Sequence, residues 1–401
     1  MKKQSWWQLL SIQAGGTLCL PVILVGQLIC QKYGWLAACL SLGIGNLFLL
    51  GIGLLLASLS THKPTSTVEQ AARYFGNKGR ILFASLMIFS MLGWFGIQLN
   101  MMSLSFGHLF AMMGIVLNPL SLNISIGIAM SCVMCFGMKA MKWLSNLTSP
   151  LMGLTMLYAI FFSAGTFAPI APLSISFLGG VSLIIGANIA AVIDLPTFFQ
   201  YAKSKRDAYI CIWLLFGLIV PFIEGVGIFL TAMTQGDSIL GVLQSGGGML
   251  WNIWVSCFVI FAGWTTNNAN LYSAITSSYS LPGKFSSMGR TLAFGLLGVL
   301  FACLNPLGNI EAVLEMIGIS IGGMGAVMIS NFLLGKKYRT PSWVSFLSWI
   351  LGLTLGISSA IFGVFITGVP AFDAFIAASV SQIVLSFIFG ERYIYETNNS
   401  Q

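Results

Sequence analysis

The chain has 401 residues, of which 57% are hydrophobic and 7% charged, with a formal net charge of +8. Soluble domains carry about 25% charged residues, so this composition excludes a globular protein with a hydrated shell and leaves lipid as the solvent for most of the chain. The basic residues are spread over many short segments rather than gathered in one patch, which gives no case for a nucleic-acid partner.

A window of about 19 residues predicts twelve membrane helices, at 8–30, 34–59, 80–104, 121–138, 146–165, 174–198, 208–233, 249–275, 288–304, 309–334, 343–367 and 372–390. The first apolar stretch runs on as a full span instead of ending at a signal-peptide cleavage site. Span 1 contains "QAGGTLCLP", with Gly15 and Gly16 ahead of Pro21; span 6 contains "IIGANIAAVIDLP", with Gly186 and Asn188 ahead of Pro196. Glycine and proline inside a membrane helix free backbone groups that then need partners. Both spans are expected to be interrupted around these residues and to line a cavity.

Span 7 carries Glu224, the carboxyl group set deepest in an apolar stretch. It reads equally as a proton site or as a structural group, either protonated and bonded to a neighbouring carbonyl or placed near the outer interface. Asp194, towards the end of span 6, is expected to pair with Lys203 and Arg206. Glu311 and Glu315 fall in the first turns of span 10, where the helix dipole favours acids, and are read as solvated. The eight cysteines (Cys19, Cys30, Cys39, Cys132, Cys135, Cys211, Cys257, Cys303) all sit in apolar stretches and are read as reduced packing residues. His62 and His108 have no second ligand nearby, so no transition-metal site is expected. Nor is there an HExxH, a GxSxG or a pair of facing aspartates to suggest an enzyme.

With the N-terminus in the cytoplasm, all but Lys32 of the 18 basic residues fall inside: Lys2, Lys3, Lys63, Arg73, Lys78, Arg80, Lys139, Lys142, Lys203, Lys205, Arg206, Lys284, Arg290, Lys336, Lys337, Arg339 and Arg392. The positive-inside rule therefore puts both termini in the cytoplasm of a multi-pass plasma (inner) membrane protein.

Two stretches 170 residues apart share a pattern: "GWFGIQLNMMS" at 93–103 and "GWTTNNANLYS" at 263–273. Gly93, Trp94, Asn100 and Ser103 match Gly263, Trp264, Asn270 and Ser273, and the same offset carries Gly16 onto Gly186. The offset spans five helices, an odd number, so the two halves must insert with opposite orientation. Inverted repeats of this kind mark secondary transporters, and argue against a channel, which more often repeats a filter in an oligomer.

Span 8 is the most polar of the spans. Ala262, Thr265 and Thr266 lie at i, i+3 and i+4, one face of a helix, and offer a carbonyl and two hydroxyls to a hard cation. Free carbonyls at Gly15 and Gly16 of a broken span 1 can complete the shell. Asn267, Asn268 and Asn270 add amides, which donate and accept together and so suit a flat ligand edged with both kinds of group. Asn267 and Asn268 are expected to matter most, with Asn270 facing a neighbouring helix. Gln13, Gly186 and Asn188, on the two interrupted spans, are the remaining candidates for substrate contact.

These segments resemble the nucleobase:cation symporters, a family that includes bacterial cytosine permeases and a hydantoin transporter. The resemblance runs along the whole chain and is most specific at "GWFG" (93–96) and "WTTNNANLY" (264–272), with support from "GANIAAVIDLPTFFQYAKSKRDA" (186–208) and "MISNFLLGKKYR" (328–339). It implies an all-α membrane protein with a five-plus-five inverted-repeat core: residues 1–165 as the first repeat, 166–334 as the second, and 335–401 as two extra spans with a cytoplasmic tail. It also implies uptake of a nucleobase or related heterocycle, driven by Na⁺ or H⁺. No cofactor is expected, and the protein is expected to work as a monomer.

By the same resemblance Trp94 would stack on the ring, Gln98 would hydrogen-bond it, the asparagines of span 8 would read its edge, and Ala262, Thr265 and Thr266 would hold sodium. Two departures leave the ligand open. Asn188 stands where family members often place an aromatic residue, and the cytosine permeases read Asn-Asp-Asn after the two threonines where this chain reads Asn-Asn-Ala-Asn. The same fold carrying an amino acid or small amine is the alternative.

Overall fold

The computed structural model describes residues 3–135, 150–161, 177–234, 239–244, 248–283, 285–335 and 338–392. Lys2, Lys139, Lys142, Lys284, Lys336 and Lys337, parts of the fourth, fifth and sixth predicted spans, and the boundary between residues 165 and 166 lie outside the described residues. The described chain is almost wholly helical, and each predicted span, where it is described, falls on one or more consecutive helical segments.

α1 (Trp6–Thr17) and α2 (Leu20–Tyr33) form one span bent by 59°. α3 (Trp35–His62), α4 (Thr67–Ala111), α5 (Pro119–Met134) and α6 (Pro150–Phe161) follow. α7 (Leu178–Ile193) runs into the short α8 (Leu195–Phe199). α9 (Lys205–Leu214) continues through a π-helical stretch, Leu215–Ile219, into α10 (Val220–Thr234). The remaining helices are α11 (Ile239–Gln244), α12 (Met249–Ser278), α13 (Ser287–Cys303), α14 (Ile310–Leu334), α15 (Ser342–Phe362) and α16 (Pro370–Phe389).

Among the described residues eight helices are long and apolar enough to cross a membrane, or nine with the bent pair. The shorter apolar helices α5, α6 and α13 occupy the places of spans 4, 5 and 9. Two short strands, Tyr338–Arg339 and Glu391–Arg392, pair antiparallel beside the last two helices.

Local chemistry sets the helix ends. Ser66 and Glu69 form a reciprocal capping box that starts α4 well ahead of its apolar stretch. The segment between the second and third predicted spans is therefore helical from Thr67, and the chain turns at Gly76, where φ is 67°. Asn118, Ser204 and Ser286 accept backbone N–H groups at the starts of α5, α9 and α13.

The core is built by α4 lying along α12, α2 along α10 and α7 along α14; α15 and α16 pair with each other, and α16 also covers α14. The two helices that carry the repeated motif are thus direct neighbours. Glycine makes these approaches possible. A Cβ on Gly26 would meet the Glu224 carbonyl oxygen at 2.0 Å, and one on Gly227 would meet the Ile23 carbonyl oxygen at 2.0 Å.

Span 1 breaks as its sequence suggests, at Leu18 and Cys19, with Pro21 in the first turn of α2. Span 6 does not break where expected. α7 runs without interruption through Gly186 and Asn188, and the irregular residue is Asp194, just before Pro196. Gly186 is used for packing instead: a Cβ there would meet the Leu314 carbonyl oxygen of α14 at 2.5 Å.

Because the atoms facing Gly26 and Gly227 belong to backbone, neither contact can relax by a rotamer change. Gly26→Ala and Gly227→Ala are each expected to destabilise the protein by about 1–3 kcal/mol through overpacking. Gly51→Ala, with nothing within 4 Å of the added atom, should be neutral or gain up to about 1 kcal/mol from helix propensity. Thermal unfolding of the three purified variants in detergent checks this. A Gly26→Ala protein that melts with the wild type would refute the α2–α10 contact.

Candidate functional site

A cavity of about 70 Å³ lies between α1, α2, α4, α7, α8 and α12. Pockets for drug-sized ligands run to roughly 300–1,000 Å³, so an occupant of this one is small. The cavity wall is built from helical stripes. Ile12, Gln13, Gly16 and Thr17 come from α1; Met91 and Trp94 from α4; Ala187, Asn188, Ala191 and Asp194 from span 6; and Thr266, Ala269, Asn270 and Ser273 from α12.

The break in span 1 reaches this cavity. Cys19 N–H turns back to Thr17 O at 2.9 Å, so Gly15 O loses the donor four residues on that a continuous helix would supply. Thr266 Oγ1 lies 3.4 Å from Gly15 O, and both Thr265 Oγ1 (2.9 Å) and Thr266 Oγ1 (3.0 Å) reach Ala262 O. Two carbonyl and two hydroxyl oxygens from α1 and α12 therefore converge beside the break. Neutral oxygens in such a cluster are the ligand type that hard cations take.

The amides of α12 divide their work. Asn267 Nδ2 donates to Phe95 O of α4 at 3.1 Å, and Asn267 Oδ1 accepts from Asn270 Nδ2 at 3.3 Å. The Phe95 carbonyl can only accept, which fixes the orientation of Asn267 and, through it, of Asn270. Asn270 keeps its oxygen and one N–H for the cavity. The structure places them differently from the expected orientation: Asn267 ties α12 to α4, Asn270 lies on the cavity wall rather than against a neighbouring helix, and Asn268 is buried outside the wall. The physical reason is helical pitch, since Thr266, Asn270 and Ser273 share one stripe that excludes positions 267 and 268.

Of the other predicted residues, Trp94, Gln13, Gly16 and Asn188 line the cavity. Gln13 Nε2 is buried without a hydrogen-bond partner. Gln98 is 1% exposed and lies behind the wall, with Nε2 also unpartnered. Gly15, Gly186, Ala262, Thr265 and Glu224 are not part of the wall.

Glu224 is fully buried, 0% exposed, between three spans. Asn46 Nδ2 of α3 donates to its Oε2 at 2.6 Å, and Asn188 Nδ2 of α7 donates to its Oε1 at 2.9 Å. Each amide nitrogen also donates to the carbonyl one turn back on its own helix, Leu42 O at 3.1 Å and Ile184 O at 3.0 Å.

Asp194 is the residue that sequence reasoning misread. It is 2% exposed and pairs with hydroxyls rather than with Lys203 or Arg206: Thr197 Oγ1 donates at 2.7 Å, and Ser273 Oγ donates to its other oxygen. Thr197 in turn joins Thr67 at the start of α4, with 3.0 Å between the hydroxyls. The regular stripe through Ala187, Ala191 and Asp194 was the available signal. Ser273, Ala269, Phe198 and Met91 were also missed. The side chain of Glu311 is partly exposed, as expected, and also accepts from Lys32 Nζ at 2.7 Å, joining the end of α2 to the start of α14.

Glu224 and Asp194 should respond differently to conversion into amides. Glutamine at 224 has one accepting end for two N–H donors that cannot turn round, so Glu224→Gln leaves a buried donor unpaired and should cost about 1–3 kcal/mol. Asparagine at 194 can donate to one hydroxyl and accept from the other, because hydroxyls take either role, so Asp194→Asn should cost under about 1 kcal/mol. Melting curves of the two variants test this, and equal losses would contradict the clamp at Glu224.

Comparison with known proteins agrees with this architecture. A profile of the family described as "Permease for cytosine/purines, uracil, thiamine, allantoin" matches residues 1–342. The cytosine permease of Escherichia coli (strain K12) is 23% identical over 410 aligned residues, covering 94% of this chain and 92% of that protein. Among solved structures, Mhp1, a nucleobase-cation-symport-1 family transporter held closed with bromovinylhydantoin bound, superposes with a TM-score of 0.80 at 16% identity, over 96% of this chain and 92% of its own. A Na⁺-coupled sialic acid symporter in a substrate-bound, outward-open state gives 0.72 at 12% identity, over 97% of this chain and 91% of its own. At these identities the two structures speak for the fold alone, a helical transporter fold.

Proposed function

Since the chain belongs to the family of permeases for cytosine/purines, uracil, thiamine and allantoin, we propose that it takes up a nucleobase or related small heterocycle by cation symport. The observation that carries this is the small cavity at the break of span 1, which sets an indole beside the unpartnered amide nitrogen of Gln13 and the amides of Asn188 and Asn270. Trp94 supplies a flat apolar face, and Asn270, Gln13 and Asn188 supply the edge that reads donors and acceptors. The names of similar proteins, a cytosine permease and a transporter with a hydantoin bound, support a planar nitrogen heterocycle as cargo.

Sodium is the proposed coupling ion. It would sit among Gly15 O, Ala262 O, Thr265 Oγ1 and Thr266 Oγ1. Thr266 belongs both to this cluster and to the cavity wall, so ion and substrate can each favour the other's binding through one side chain. Residues 1–165 and 166–334 act as the two inverted repeats, 335–401 adds the last two spans, and both termini face the cytoplasm of the inner membrane. The pairing of α4 with α12, the bearers of the repeated motif, supports this division.

The test is uptake into proteoliposomes of radiolabelled cytosine, uracil, adenine, hypoxanthine, hydantoin and a set of amino acids, with and without an inward Na⁺ gradient. Accumulation of at least one heterocycle, and of no amino acid, is expected. Accumulation of amino acids alone would overturn the substrate class. For the accumulated heterocycle, Trp94→Ala should cost roughly 1–3 kcal/mol of binding, in line with base–aromatic stacking, while Trp94→Phe keeps part of it. Thr266→Val preserves shape and deletes one oxygen, and should abolish the strengthening of substrate binding by sodium. Wild-type uptake driven by pH alone, with no sodium response, would reject the ion assignment.

A further inference from the structure

Asn188 occupies an unusual place. It lines the cavity, yet both hydrogens of its amide are already committed, one to Ile184 O at 3.0 Å and the other to Glu224 Oε1 at 2.9 Å. A peptide carbonyl can only accept, so the atom facing Ile184 O must be the nitrogen, and the amide cannot be turned over without losing both bonds. Its Oδ1 takes no hydrogen bond among the described residues, and it is the polar atom left for the cavity.

Glu224 makes this arrangement permanent. Its second oxygen is held by Asn46, whose amide is locked to Leu42 O in the same way. Four N–H groups from two asparagines are thus spent on two carbonyls and one carboxyl group. Spans 2, 6 and 7 together hold a single side chain in a single orientation.

An asparagine free to rotate reads donors and acceptors alike. One clamped like this reads only donors. We infer that Asn188 is a specificity determinant that presents a fixed acceptor to the cavity, with Glu224 as its positioning residue, and that it selects heterocycles offering a ring N–H at that edge. A ligand with an acceptor or an N-methyl group there would leave the buried oxygen unpaired or would clash with it. The inference deepens the proposed function, since it rests on the cavity being the substrate site.

The experiment compares N–H heterocycles with their N-methyl counterparts by competition binding on purified full-length protein. The probes are uracil with 1-methyl- and 3-methyluracil, cytosine with 1-methylcytosine, hydantoin with 1-methyl- and 3-methylhydantoin, and imidazole with 1-methylimidazole as rings outside the nucleobase class. For any parent that binds, methylation at one nitrogen should weaken wild-type binding by roughly 10- to 100-fold.

Asn188→Leu keeps volume and removes the acceptor; Asn188→Ala removes it without adding bulk. In both, parent binding should fall and the penalty for that methyl group should shrink to within about threefold. Glu224→Gln should shrink it partly, by freeing the amide of Asn188 to rotate. The inference is overturned if either Asn188 variant keeps the full N-methyl discrimination, or if N-methyl compounds bind the wild type as well as their parents do. Binding confined to imidazoles, with discrimination that collapses in the variants, would instead sink the nucleobase reading and leave the role of Asn188 standing.

Discussion

A polar group inside a bilayer has no water to fall back on, and each one left unsatisfied there costs several kcal/mol. The break at Leu18 and Cys19 creates such groups in the middle of the first span, and the site is organised around their satisfaction. Cys19 N–H folds back onto Thr17, Gly15 O is released, and Thr266 Oγ1 lies within reach of it from α12. Thr266 is held by Ala262 one turn back, and α12 is held to α4 by Asn267 on the Phe95 carbonyl. A substitution at any of these positions changes the partners of the next. The cavity is therefore a consequence of backbone accounting before it is a matter of ligand shape.

Much of this was legible in the sequence. Apolar runs located the spans, and Gly15, Gly16 and Pro21 located the break, because proline has no N–H to continue a ladder and glycine tolerates an irregular backbone. The motif at one fixed offset pointed to α4 and α12, which lie side by side.

The limits of that reading are equally physical. Gly186 and Asn188 resembled a second break because glycine in a membrane helix marks either an interruption or a close approach, and only the neighbour decides which. Here the neighbour is the Leu314 carbonyl, and the glycine serves packing. Asp194 looked like a partner for nearby lysine and arginine, because sequence distance favours Lys203 and Arg206. Its actual partners, Thr197 and Ser273, include one 79 residues away on α12. Asn270 was expected against a neighbouring helix and lies on the cavity wall for a simpler reason: counting polar residues identifies a polar helix, whereas the stripe of 3.6 residues per turn identifies its polar face. The repeat was likewise informative about position and silent about role. Asn100 and Asn270 occupy matching places, yet Asn100 donates to the Ala302 carbonyl at 2.9 Å, as structural glue, while Asn270 keeps polar groups for the cavity.

Glu224 and Asp194, two of the buried carboxyl groups, show how partner chemistry separates a fixed point from an adaptable one. Around Glu224 every partner is an amide N–H, a donor in one direction only, and each of those amides is anchored to its own helix by a second bond. No rearrangement of that group avoids an orphaned donor, so α3, α7 and α10 are joined rigidly at this depth. Asp194 is held by hydroxyls, and Thr197 also meets another hydroxyl, that of Thr67. A hydroxyl turns about its C–O bond and can donate or accept, so partners around Asp194 can be exchanged without leaving a group unpaired. The junction of span 6 with α12 and with the start of α4 is thus built from bonds that tolerate displacement, beside a clamp that does not. The adaptable junction lies at Asp194, on the cavity wall, and the fixed one lies behind it at Glu224, joined to the wall through Asn188.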